Sequence, residues 1–150
     1  MKRRQPRLSL IERALVERDW HQTAVTAQIQ ALYGDNSEGM VDAAGRVMYV
    51  VLGAALEEGV SHDLPEIRVI RGAVNAVHDQ AGEEAIPDAR RQSIVSGLEA
   101  CERLIPALER RSLINAACDL KLRMKTQHIH LSDFLALIPA SPSTQGAPAA

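Results

Sequence analysis

Aliphatic residues recur at helical spacing along most of this chain, and several of its glycines and prolines fall where those stripes begin or end, while Gly97 and Pro106 fall inside one. Ser9 and Glu12 form an S-x-x-E capping box, and Leu8 just ahead of it can act as a hydrophobic staple. Leu8, Ile11 and Leu15 continue from there as a stripe and predict a helix over 9–18. Arg18, Asp19 and Gln22 interrupt the pattern, which resumes at Val25, Ile29 and Leu32 and predicts a second helix over 21–33, with Trp20 near a bend. One bent helix over the whole span is the alternative. After the polar turn Gly34–Gly39, Ser37 is the expected N-cap of a helix over 38–58 that stops at a left-handed Gly59. The middle of that helix is apolar on every face. A strand over Val47–Leu52 is the rival, but the flanking alanines favour helix.

The second half repeats the logic. A helix over 64–81 should be capped by Asp63 or Ser61, with Pro65 in its first turn and Ile67, Ile70, Val74 and Val77 inward. A helix over 87–111 carries Ile94, Leu98, Cys101, Ile105 and Leu108, and Pro106 within it predicts a kink or restart. A helix over 112–126 follows from Ser112, with Ile114, Ala117, Leu120 or Lys121, and Met124 as its stripe, and a last short one over 133–138 is capped by Ser132. Residues 139–150 contain no large apolar side chain, so a disordered tail, dispensable for folding, is expected there. The expected fold is therefore all-α: a basic arm over 1–8, an irregular bundle of about six helices forming one domain over 9–138, and the tail. No internal repeat is visible.

Composition supports one domain with a substantial core, since 46% of the 150 residues are hydrophobic. Trp20, Tyr33, Tyr49 and Phe134 are the whole aromatic complement, which argues against stacking on single-stranded nucleic acid. The basic start lacks the apolar run of a signal peptide, and the densest apolar stretch, Val47–Leu56, is short for a membrane span, so no membrane partner is expected. Cys101 and Cys118 show no CxxC spacing and read as reduced thiols of a cytoplasmic protein. Cys101, on an apolar stripe, is expected to be buried and unreactive.

Charge is segregated. The net charge of −2 hides basic residues concentrated in 1–18 and 90–126 around a strongly acidic middle. Arg90, Arg91, Arg103, Arg110, Arg111, Lys121, Arg123 and Lys125, with the arm, could form a basic surface for a protein or a nucleic acid. Solvated helix faces with local ion pairs are the simpler reading.

Chemical motifs are sparse. Residues 11–56 loosely resemble a helix-turn-helix, but the third helix offers only Arg46 as a cation. His62 and the pair His78-Asp79 resemble the H…HD…D metal pattern of the HD-type phosphohydrolases, with Asp119 or Asp133 left to supply the final ligand. His128-x-His130 with Asp133 is a second weak metal set. Asp35–Gly39 fails the spacing of a calcium loop, because Gly39 falls one position early. Nucleotide-binding glycine motifs and a nucleophile elbow are missing, and no cofactor is expected. The expectation is a small helical protein that acts by binding another protein, as a regulator or accessory factor. The alternatives are a nucleic-acid-associated regulator and an HD-like metal-dependent phosphohydrolase. A homodimer is also expected, formed through Val47, Met48, Val50, Val51 and Leu52 if that helix is not wholly central, with Gly45 and Gly53 permitting close approach and Val50 as an exposed contact.

Overall fold

The first helix begins where the capping box places it. Ser9 Oγ accepts from the Glu12 N–H at 3.1 Å, and Glu12 Oε1 accepts from the Ser9 N–H at 3.3 Å. In this computed structural model, which describes residues 7–127, five α-helices form the fold and no strand occurs among those residues. They are α1 (Leu10–Tyr33), α2 (Ser37–Glu57), α3 (Pro65–Gln80), α4 (Asp88–Leu104) and α5 (Arg110–Gln127). A single 3₁₀ turn, Ile105–Ala107, links α4 to α5. The expected short helix over 133–138 and the tail over 139–150 lie outside the described residues.

The expected pair of helices over 9–18 and 21–33 is one continuous helix, so the described residues form five α-helices and not six. Its inward face is also not the expected one. Arg13, Val16, Trp20 and Ala24 are half-buried and Ala27 and Ala31 fully buried, whereas Ile11, Leu15, Val25, Ile29 and Leu32 are exposed. Small side chains let α1 lie close to the bundle, and the larger aliphatics on its other face point away.

Helix α2 is the centre. Val47, Met48, Val50, Val51 and Leu52 are all buried, and α2 packs against α1, α3, α4 and α5. Val50 is 2% exposed, so it is not the exposed dimer contact expected from the sequence. Enclosure by four helices satisfies its all-round apolarity without a second subunit. By length and composition α2 could cross a membrane, having an 18-residue window of mean hydropathy 1.4, yet most of that window is buried inside the bundle.

Two expected caps moved by one residue. Asn36, not Ser37, caps α2 by accepting from the Gly39 N–H at 3.1 Å. Ser37 turns inward to the buried Gln80. Neither Asp63 nor Ser61 caps α3. Leu64 holds that position without a side-chain bond, and Pro65 opens the helix. Asp63 instead pairs with Arg68 at 3.3 Å. Gly59 closes α2 with φ +70°, as its sequence position predicted.

The stripes of α3 and α4 meet across the most extensive helix pair of the fold. Ile67, Ile70, Val74 and Val77 face Ile94, Leu98, Cys101 and Leu104 within one core. Gly97 makes the approach possible, since a Cβ there would overlap the Cβ of Ala73 and meet Met48 Cε at 3.0 Å. Pro106 ends α4 in the 3₁₀ turn. The chain restarts at α5, where Glu58 at the end of α2 accepts from the Glu109 N–H at 2.9 Å.

Candidate functional site

Between its two anchored ends, α1 spans a groove. At the N-terminal end, Glu12 pairs with Lys125 at 2.9 Å, Glu17 pairs with Arg110 at 2.9 Å, and Arg13 donates to Asn115, all on α5. At the C-terminal end, Ala27 and Ala31 are fully buried, and Gln28 donates to Glu102 of α4 at 3.0 Å. Val16, Asp19, Trp20 and Thr23 lie in between. They line a cavity of about 510 Å³ with Arg46 and Val50 of α2 and Ala117, Leu120, Lys121, Met124 and Lys125 of α5.

The floor is apolar and its rim is charged. Val16 and Trp20 are one helical turn apart, so both project inward from α1. Val50, Leu120 and Met124 supply the opposite wall. Among the rim cations, Arg46 pairs with Asp42 at 3.0 Å and Lys125 with Glu12 at 2.9 Å. The Lys125 hydrogen bond, with a smaller contribution from the Ser9 backbone, lowers the Glu12 pKa and keeps that carboxylate charged. Lys121 has no such pairing among the described residues, leaving one uncommitted cation at the rim. The site can bury an apolar side chain and meet an acidic one. Among the described residues it presents no nucleophile with an adjacent base.

A second cavity, about 620 Å³, lies at the N-terminus of α2 and is lined by Asp35, Glu38, Asp42, Glu83 and Glu84 among others. The loop below it is held from inside. Gln80 Nε2 donates to Ser37 Oγ at 2.8 Å and to the Ala85 carbonyl at 2.9 Å, and Arg90 donates to Gln80 Oε1 at 3.1 Å.

Most residues of the expected basic surface pair with groups of the same chain, Arg110, Arg123 and Lys125 while remaining exposed. Arg90 pairs with Glu83, Arg110 with Glu17, Arg123 with Asp119 and Lys125 with Glu12. Arg91 donates to the Ala31 and Gly34 carbonyls at 2.8 and 2.7 Å, closing the C-terminal end of α1. Arg103 sits in the last turn of α4 and Arg111 at the start of α5.

The H…HD…D set is not assembled. His62 Nδ1 lies 2.8 Å from an Arg71 nitrogen, and Asp119 accepts from Tyr49 at 2.9 Å while pairing with Arg123 at 3.2 Å. His78 and Asp79 occupy the last turn of α3. No group of three or more His, Cys, Asp or Glu side chains that could hold a metal ion occurs among the described residues. His128, His130 and Asp133 lie outside them.

The groove is not legible in the sequence, because the hydrophobic pattern places Trp20 near a bend and Val16 on no stripe. Nor are Gln80 and Arg91 legible as internal braces, since polar residues on helices carry no periodic signal of burial. Comparison with protein-family models, curated proteins and solved structures finds no match to this chain.

Proposed function

We propose that this chain is a protein-binding module, acting as a regulator or accessory factor, and that the α1–α2–α5 groove is where a partner side chain docks. The observation that supports this is the groove itself: an apolar floor with Trp20 on one wall, Met124 on the other and Lys121 at the rim. Tryptophan is the residue type that most often anchors interfaces, and methionine repacks readily against varied partners. A segment presenting a large apolar side chain beside an acidic one fits this chemistry. The carboxylate partners of Arg90, Arg110, Arg123 and Lys125 offset their positive charge, and Arg91 is bonded to backbone carbonyls, which favours this reading over a nucleic-acid surface. The two cysteines, buried and unpaired with each other, are consistent with the reducing compartment proposed for it.

A photo-crosslinking side chain at position 121 tests the reading in cells of the source organism, with position 75, exposed on α3, as a control. The expected result is a discrete adduct with another polypeptide from position 121 that is lost on Trp20→Asp. Adducts of equal yield from both positions, or from neither, would overturn it.

A further inference from the structure

The outward face of α1 carries an unbroken heptad. Ile11, Leu15, Arg18, Gln22, Val25, Ile29 and Leu32 alternate four and three residues apart, the spacing of a coiled-coil seam. In a single continuous helix the phase never breaks; only the two central positions are polar. The bundle leaves this face open, with Ile11 75%, Ile29 55% and Leu32 49% exposed. Leu10 and Tyr33 flank its two ends and are more than three-quarters exposed. We propose that this face pairs, antiparallel, with the same face of a second copy of this chain.

Three features select that occupant. The first is the register of polar positions. In an antiparallel pair the apolar N-terminal positions, Ile11 and Leu15, lie against the partner's Ile29 and Leu32, while the polar centres meet around Gln22. A parallel pair would set Arg18 beside the partner's Arg18, a like-charge contact at the seam. In the antiparallel pair Arg18 lies near Val25, where its aliphatic stem can cover the valine while its charge stays with Asp19, its ion-pair partner at 3.0 Å.

The second feature is charge. Lys2, Arg3, Arg4 and Arg7 precede the seam, while Asp35 and Glu38 follow it. Those two carboxylates line the acidic cavity with Asp42, Glu83 and Glu84. Antiparallel pairing brings each basic arm to the partner's acidic end. The third feature is reach. The helix is about 36 Å long, and the six residues from Lys2 to Arg7 span at most about 20 Å when extended. An arm therefore cannot cross to its own acidic cavity, but it can reach the partner's.

Size sets the strength. A seam about 36 Å long and one helix wide covers roughly 400 Å² per copy, about half of a standard interface. The dimer should therefore be of micromolar affinity and, with the arms contributing, sensitive to salt.

Sedimentation of the full chain at about 100 μM should give twice the 16.4 kDa chain mass, shifting toward monomer in high salt. Ile29→Asp and Leu32→Asp, at exposed positions, should each give folded monomer with unchanged helical circular dichroism. Under mild oxidation Gln22→Cys should form a covalent dimer, and Ile11→Cys should not. A monomeric unmodified chain, an Ile29→Asp variant that stays dimeric, or crosslinking at 11 in preference to 22 would each overturn the proposal. So would a dimer that forms only after residues 128–150 are removed, because the chain's own segment would then be the occupant. Trp20 and Lys121 lie on another face, so this outcome is independent of the groove reading.

Discussion

At the scale of single residues, buried polar and thiol groups show how the core tolerates chemistry. Gln80 is fully buried, yet its amide is satisfied by Ser37, the loop carbonyls of Glu83 and Ala85, and Arg90. It ties the N-terminus of α2 to the loop before α4, and leaving such a group without partners would cost about 1–3 kcal/mol. Cys101 is also buried, and desolvation pushes its thiol up from 9.0 to about 12. Below the ordinary value both folded and unfolded states hold the proton, so the thiol is neutral to stability there. Between pH 9 and 12 only the unfolded state loses it, and stability falls as pH rises. A single buried thiol gives a slope of about 1.4 kcal/mol per pH unit in that window. Urea unfolding at pH 8 and pH 10 should show this loss, and Cys101→Ala should reduce it, leaving the smaller part due to Cys118 and Tyr49, whose pKa values desolvation also raises. At pH 8 a thiol reagent should modify Cys101 only as fast as the protein opens.

At the scale of elements, close approach is set by small residues. Ala27 and Ala31 let α1 lie on the bundle, Gly53 brings its backbone near Ala116 of α5, and Gly97 seats α4 on α3 and α2. A methyl group added at 97 must displace Ala73 on a neighbouring backbone, so repacking of one flexible side chain cannot relieve it. Helix propensity favours alanine over glycine by about 1 kcal/mol, and overpacking of a filled core costs about 1–3 kcal/mol. Overpacking should win. Gly97→Ala is expected to lower stability by up to about 2 kcal/mol in denaturant titrations, with the unfolding slope unchanged. A stabilised variant would mean that α3 and α4 can separate without penalty.

At the scale of the whole molecule, α2 decides the architecture. Its all-apolar middle needs cover on every side, and α1, α3, α4 and α5 supply it. The consequence is a clear separation between two kinds of substitution. A charge at buried Val50 loses its water at the groove floor, and Arg46 one turn away is already paired with Asp42, so the change should unfold the protein, a loss of more than about 3 kcal/mol seen as collapse of the helical circular dichroism signal. A charge at Ile29 lies on the outside of α1 and should leave the fold intact. Were Val50→Asp to give a folded monomer, α2 would be an interface helix and not the centre.

Helical class, the capping box at Ser9, the stop at Gly59, the break at Pro106 and the stripes of α3 and α4 were determined by the sequence alone. Each depends on residues within a few positions of one another, and on a preference strong enough to act locally. The face of α1 was decided only by tertiary structure. Its large aliphatics suggested one inward side, but close packing against α2 selected the side with alanines, because contact depends on how near two backbones can come. The same holds for the groove around Trp20 and for the caps at Asn36 and Leu64. Arg91, Gln80 and Glu58 bond to groups distant in sequence, and nothing in local spacing records such partners. The candidate metal residues show the converse: the sequence pattern groups His62 and His78-Asp79 with Asp119 or Asp133, but the fold sets His62 beside Arg71 and Asp119 beside Tyr49 and Arg123.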